Sequence, residues 1–468
     1  MRSFDVVLPV RMSRVAIVAP RTHLREALVR LAAAGSVELV GTLPAAEGEG
    51  AEALRRLDHA RPDAREEEPR VLRDPADVAE LERRGRRGLL AGEVELQRRA
   101  ALAEVYGSFA ALVGWTPTPG LPQLEEQLED AGAAAVELPR PSWVDPPTLF
   151  APTRVKQPLR PLVTTYGVAP YADVDPTIFA GVAFVLMFSI MFGDVGHGLL
   201  LALLGLLLRR VKRGRLRPFQ QIWPLPVAAG LGGAVFGLLY GEAFGPTGLV
   251  PRLWLDPVDD PVPLFVFALV VGAALLASSH AYGIVNRFRE AGLGAALLAP
   301  SGAAGLAVLL GAAAAAAGWF AHVSSLVWLG GALASGGVIL LAAGFLAAAG
   351  GGAAGITEAA VELVDALVRI GSNALSFTRL AAFGVMHAAL GMIVFAGARD
   401  VWGGVVGSLA AVLIFVSGNV LAFSLELLVT GVQALRLEFY ELFSRVFSGE
   451  GHPFSPWSLP VVSRTEES

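Results

Sequence analysis

The chain has 468 residues, 54% of them hydrophobic and only 17% charged, and a mean hydropathy of +0.56. A soluble globular surface does not carry that much apolar side chain, so the composition is that of a polytopic membrane protein. The net charge of -5 is small and the basic residues sit in clusters, which indicates neither nucleic acid nor an acidic substrate; with no cysteine there is no disulfide, thiolate metal site or thiol nucleophile.

The opening stretch, MRSFDVVLPVRMSRV, lacks the uninterrupted apolar core of a signal peptide, so the first domain is expected to stay cytoplasmic. Arg14 to Ala19 reads as a strand, and Leu24, Ala27, Leu28 and Leu31 make one face of a helix that Gly35 can close. Val37 to Val40 is a second strand, giving β-α-β. Asp74-Pro75 supplies an N-cap and first-turn pair for a helix of about 30 residues through Val105, weakened by Gly85, Gly88 and Gly92. The run Ala110 to Trp115, the helix Gln123 to Asp130 and the strand Ala133 to Leu138 form a second β-α unit ahead of the proline-rich stretch Pro139 to Pro161. The expectation is a small α+β cytoplasmic domain over residues 1–165, two lobes with a short helical arm inserted, and a linker over 166–176.

From Thr177 to Leu208 the apolar run covers about 32 residues, or about 48 Å as one helix against a hydrocarbon core of about 30 Å. It is therefore steeply tilted or a hairpin, and glycines 193, 196 and 198 favour a break at Gly193-Asp194. Arg209 to Arg217, with five basic residues in its first seven, is cytoplasmic by the positive-inside rule. Further spans are expected at Ile222 to Ala243, Leu264 to Val285, Leu293 to Phe320, Leu326 to Ala349, Gly371 to Ala398 and Trp402 to Phe447. The sum is an α-helical membrane domain of about eight helices over 177–447, the last two long and tilted. The count puts the acidic loop Gly245 to Pro263 outside, and Asn286 to Glu290, Gly350 to Ile370 and a C-terminal tail, 448–468, inside.

Polar residues within these spans are few and costly, an arginine near the bilayer centre by about 2.5 to 3.5 kcal/mol on insertion scales. Arg379 and His387 are eight residues apart, about two turns, and so share one face of the seventh helix; Glu426 and Arg436, ten apart, share a face of the eighth, with Gln433 one turn from Arg436. Because the two helices run antiparallel, the arginines reach similar depth and so do His387 and Glu426. Asp365, Ser372, Asn373 and Ser376 form a polar strip on the cytoplasmic approach to Arg379. Asp194 and His197 have the spacing of one helical turn, which fits either a pair within the first hairpin or a place on an ion path.

LSFTRLAAFGVMHAAL, at Leu375 to Leu390, resembles the arginine helix of the a-type stator subunit (subunit I) of V/A-type rotary ATPases. The likeness continues in FGDVGHG at Phe192 to Gly198, FGLLYGEAFG at Phe236 to Gly245, the linker YGVAPYADVDP at Tyr166 to Pro176, the eighth span from Leu425 to Trp457, GWTP at Gly114 to Pro117 and the prolines at 146 and 147. The resemblance implies a stator that is not an enzyme by itself but translocates protons within an ATPase or ATP synthase, with no cofactor or metal. Arg379 and Arg436 would be the fixed cations facing a ring of rotor proteolipid subunits that each bear a membrane carboxylate. Glu426 and His387 would line an outer half-channel, Asp365, Ser372 and Asn373 a cytoplasmic one, and Asp194, His197 and Gln433 would be accessory.

Peripheral-stalk subunits, central-stalk-side and ATPase-head subunits and the lipid membrane are the implied partners, in a bacterial or archaeal plasma membrane with both termini cytoplasmic. The soluble domain is much shorter than the family's, which implies a shorter arm or fewer peripheral stalks. A secondary proton or cation transporter would use the same buried Arg/Glu/His set, but the chain has no internal repeat. No GxxxxGK[ST] occurs, so ATP chemistry would belong to partner subunits.

Overall fold

The computed structural model describes residues 8–60, 67–141, 143–211, 214, 217–447 and 451–462. Much of the basic stretch after the first hairpin (Lys212, Arg213, Arg215 and Leu216) and 448–450 and 463–468 of the C-terminal tail lie outside the described residues. The chain forms two compact units, Met1–Ala151 together with Gly451–Ser468, and Pro152–Glu450.

The first unit is a small α+β structure. Strand β1 (Met12–Pro20) buries Val15, Ile17 and Ala19 in strict alternation, as a strand with one covered face must. Helix α1 (Leu24–Ala34) ends on Gly35 at φ 56°, the left-handed cap that glycine supplies most cheaply. After β2 (Glu38–Leu39) come α2 (Glu49–Ala60), β3 (Val71–Leu72), α3 (Val78–Arg83) and α4 (Arg87–Ala100), then β4 (Glu104–Tyr106), β5 (Phe109–Pro117), α5 (Leu121–Glu129) and β6 (Ala134–Leu138). The sheet order is β2-β5-β1-β6, with β4 hairpinned onto β5. Both neighbours of β1 are antiparallel to it, in the register Ile17 opposite Leu112 and Ala135. The two β-α-β pieces are thus interleaved in one sheet rather than forming separate lobes, the split arrangement in which strands distant in sequence share one core.

The single long helix expected through Val105 is two helices with a strand after them. Asp77, not Asp74, caps α3 by accepting from Ala79 N, and Gly85 at φ 64° turns the chain between α3 and α4. A short strand, β7 (Val461–Val462), pairs parallel with β3, and Trp457 joins Leu28, Leu31, Leu112 and Leu128 in the core of this unit.

The second unit is helical. A short helix, α6 (Arg160–Thr164), precedes the linker, where the buried Lys156 and Asp175 pair at 2.8 Å. Asp175 also accepts from the amide of Thr177 at 3.0 Å, so one carboxylate opens the next helix and neutralises a buried cation. Asn286 accepts from Val174 N and donates to the Val446 carbonyl, at 3.0 and 2.9 Å.

Helices α7 (Thr177–Met191) and α8 (Val195–Leu208) are separated at Gly193, and α9 (Pro224–Tyr240) packs against both. A Cβ on Gly193 would meet Tyr240 and one on Gly232 would meet Ser189, so α7 runs in the direction of α9. One on Gly198 would meet Gly230 and Ala234, and one on Gly205 would meet Val227, so α8 runs the opposite way. The break is therefore a hairpin, and glycines allow the three backbones to approach closely.

Next come α10 (Pro261–Leu298), bent at Gly292, α11 (Ala303–Phe320) and α12 (Ser324–Ala348). The expected start of a span at Leu293 is overturned, because Leu293 to Leu298 continue α10 beyond the bend and α11 begins only after Pro300. The helix expected to start at Gly371 begins at Gly352. It is α13 (Gly352–Ser376) followed by α14 (Thr378–Asp400), interrupted at the fully buried Phe377, which sits against Gly272. Last come α15 (Gly404–Leu437), a π-helical turn (Glu438–Phe443) and α16 (Ser444–Val446). Among the described residues, six helical stretches are long and apolar enough to cross a membrane: Phe219–Tyr240, Pro261–Leu298, Ala303–Phe320, Ser324–Ala348, Gly352–Asp400 and Gly404–Val446. Helices α7 and α8 are apolar but shorter.

Candidate functional site

Asp194 ends the turn of the first hairpin in extended conformation, and its side chain caps α8 by accepting from His197 N at 2.8 Å. Its other oxygen accepts from Gly245 N at 2.9 Å, so the carboxylate is held by two separate backbone segments. Gly245 (φ 85°) cannot be enlarged, since a Cβ there would lie 2.9 Å from the Gly391 carbonyl oxygen. The sequence spacing left open a pairing of Asp194 with the His197 ring. The carboxylate bonds the His197 amide instead, and the imidazole is free to turn toward α15.

There Asn419 donates to the Phe415 carbonyl at 2.9 Å, which leaves its Oδ1 as the acceptor facing His197 Nε2 at 3.1 Å. The proton on His197 is thereby assigned to Nε2. Its Nδ1 is buried, makes no hydrogen bond and lies 3.8 Å from Glu426 Oε2. His387, on α14, donates from Nδ1 to Glu426 Oε2 on α15 at 2.6 Å, and its Nε2 lies 3.7 Å from Glu242 Oε2. Asp194, His197, Glu242, His387 and Glu426 are all buried. Phe192, Phe244 and Phe423 close around the rings.

Four segments thus deliver three carboxylates and two imidazoles to one buried place. An isolated buried carboxylate is costly, whereas carboxylates that share protons with imidazoles are not, so such a cluster is suited to accepting and passing protons. Asp194, His197 and His387 also bring ligand atoms within 4.8 Å of one another, the donor set a metal ion could use.

The remaining predicted residues lie on α13 (Asp365, Ser372, Asn373), α14 (Arg379) and α15 (Gln433, Arg436). Arg379 is half-buried just after the break at Phe377, with its Nη1 buried and without a hydrogen bond; Arg436 is exposed. The buried Glu441 carboxylate lies within electrostatic reach of both, and its Oε2 has no hydrogen-bond partner. Gln433 is half-buried and its Oε1 has no hydrogen-bond partner. Asp365 is exposed and ion-paired with Arg369 on its own helix. Ser372 is exposed, Asn373 is half-buried, and the carbonyl of Ser372 accepts from Ser376 at 3.0 Å.

The site brings His387, Glu426, Asp194 and His197 together; Arg379 and Arg436 share only electrostatic reach of Glu441, and Asp365 is ion-paired within its own helix. Sequence reasoning missed Glu242, Asn419 and Glu441. Glu242 carried a signal, being the single charge in the otherwise apolar FGLLYGEAFG; Asn419 carried none beyond being a lone amide in a long span.

Residues 102–219 match the model of the V-type ATPase 116kDa subunit family. The chain is 29% identical over 377 residues to an A-type ATP synthase subunit I of Aeropyrum pernix, covering 70% of this chain and 52% of that protein. It is 31% identical over 213 residues to the subunit of the same name from Archaeoglobus fulgidus, covering 40% and 31%. To the human V-type proton ATPase 116 kDa subunit a 3 it is 33% identical over 154 residues, 30% of this chain and 19% of that one. The chain spans about half the length of the long-matching archaeal relatives.

Proposed function

We propose, for a chain that belongs to the V-type ATPase 116 kDa subunit family, that it is the non-catalytic membrane stator of a rotary V/A-type ATPase, forming two proton half-channels against a rotor ring and coupling proton transfer to ATP hydrolysis or synthesis. The observation that carries this reading is the bond between His387 and Glu426 at 2.6 Å. It fixes α14 and α15 at matched depth, with Asp194, His197 and Glu242 gathered around the pair.

From that pair, eight residues down α14 lead to Arg379, about 12 Å away along the axis, and ten down α15 lead to Arg436. A rotor carboxylate crosses lipid neutral and must ionise at the stator. At about 4 Å and an effective dielectric of about 20, a fixed guanidinium favours the ionised form by about 4 kcal/mol, roughly three pKa units. Arginine suits the task because it cannot itself deprotonate and leak protons between the half-channels. The buried cluster would serve the outer half-channel. Asp365, Ser372 and Asn373 would serve the cytoplasmic one, with Glu441, within electrostatic reach of both arginines, as an added member.

The six long apolar helices and the α7–α8 hairpin support a count of eight crossings, the last two long. Both ends of the helical unit lead into one soluble unit, which supports an even number of crossings and termini on the same side. The partners are then the carboxylate-bearing rotor ring, stalk subunits and the ATPase head, in a bacterial or archaeal plasma membrane with both termini cytoplasmic.

The test is ATP-driven acidification of inverted vesicles carrying Arg379→Gln, after a pull-down establishes that the complex assembles. Pumping is expected to vanish while the detached head still hydrolyses ATP. Persistent pumping removes Arg379 from the role.

A further inference from the structure

We propose that Asp194, His197 and His387 form a binding site for a zinc-class divalent ion, with Glu242 as the fourth ligand. Two of the three donors are oriented as metal ligands usually are, by a bond on the far side of the ring. His197 gives its Nε2 to Asn419 and is left with a buried Nδ1 that has no hydrogen bond. His387 gives Nδ1 to Glu426 and is left with Nε2, which faces Glu242 Oε2 at 3.7 Å; that oxygen also has no hydrogen-bond partner. Asp194, held by the amides of His197 and Gly245, keeps further lone pairs on both oxygens.

One ligand atom from each of Asp194, His197 and His387 lies within 4.8 Å of the others. Tetrahedral bonds of about 2.0–2.1 Å place neighbouring donors about 3.3 Å apart, so the widest pair closes by about 1.5 Å, a side-chain adjustment. Two imidazole nitrogens with carboxylate oxygens select zinc, cobalt or nickel over magnesium and calcium, which prefer all-oxygen shells. A dication also offsets the carboxylates of Asp194, Glu242 and Glu426, near which, among the described residues, the ion-pair partners are histidines alone. Binding follows from this geometry alone. The consequence, that an occupied site ties up both imidazoles and stops proton passage, rests on the proton-path reading above.

The experiment takes the assembled complex with the full chain, strips it with chelator, titrates it with Zn²⁺ and counts retained metal by mass spectrometry; Co²⁺ serves as the spectroscopic probe. One ion per chain is expected at micromolar free metal, with the visible absorption of tetrahedral cobalt. His197→Gln should abolish retention, and the exposed His59→Gln should leave it unchanged. Asn419→Ala, which removes only the partner of His197 Nε2, should weaken affinity about 10- to 100-fold. No retained metal in the wild type, or undiminished affinity in both His197→Gln and Asn419→Ala, overturns the site. In a second arm, Zn²⁺ trapped in the lumen of inverted vesicles should block pumping. Metal that binds as described while pumping continues supports the site and overturns the proton path.

Discussion

Glu426→Gln keeps the volume and planarity of the side chain and removes its charge. In the wild type Glu426 Oε2 accepts from His387 Nδ1 at 2.6 Å, in surroundings where both residues are buried. A charge-assisted hydrogen bond of that kind contributes about 1.5–3 kcal/mol. If the charged pair forms on the rate-limiting path, its loss slows flux by about 10- to 150-fold, taking 1.36 kcal/mol per decade. The assay is acidification of inverted vesicles normalised to assembled complex, with the soluble head's ATPase as an internal check. A second variant sharpens it: His387→Gln alone and the double variant should fall about as far as Glu426→Gln, because the two residues act as one unit and their effects are not additive. Flux within twofold of the wild type in Glu426→Gln, or losses that multiply in the double variant, would refute the reasoning.

Two further outcomes are expected. Asp175→Ala removes the carboxylate that Lys156 binds in a buried place and the acceptor for Thr177 N; breaking such a pair costs about 3–5 kcal/mol, to be read as an earlier thermal transition of the detergent-solubilised chain, and Asp175→Asn should recover part of it through the amide oxygen. In the α+β unit, burial raises the Glu93 carboxyl above its ordinary value despite its pairing with Arg25. The folded state therefore binds the proton more tightly than the unfolded one, and this residue's contribution to stability is fully present at low pH and declines as pH rises from the unfolded value through the raised one. Amide exchange of α4 should lose that pH dependence in Glu93→Gln; an unchanged slope would assign it to another group.

The parts of the molecule governed by near neighbours in sequence were legible. Alternation in Arg14 to Ala19 marks β1, Gly35 ends α1 and the glycines after Met191 turn the first hairpin, because strand periodicity, a left-handed cap and a close helix crossing each act within a few residues. Helical spacing with antiparallel succession likewise brought His387 opposite Glu426. The misses arise where long-range packing decides. Nothing local to Phe109–Pro117 tells it to pair with Met12–Pro20, a hundred residues away, so one sheet read as two lobes. Gly352 to Ile370 looked separate from the arginine helix because its charges, Glu358, Glu362, Asp365 and Arg369, lower the apolar signal; the helix continues regardless and breaks at Phe377, where a buried ring needs room. Glu242 lies beyond the left-handed Gly241, outside any helix, so no periodicity could aim it at His387.

The short strand at Val461–Val462 and the Trp457 ring have a bearing on how the protein is made. The ribosome completes the sheet and the α1 side of the soluble unit's core first, yet that core includes Trp457 and an edge partner for β3 that emerge only after every apolar helix has been synthesised. The α+β unit is therefore closed only by a stretch that follows all the apolar helices in the chain. A chain whose helices fail to insert, or whose synthesis stops early, is left with an open apolar seam beside α1 and β5, a surface that chaperones and proteases recognise. Completion of the α+β unit thus reports that the apolar helices have already been synthesised.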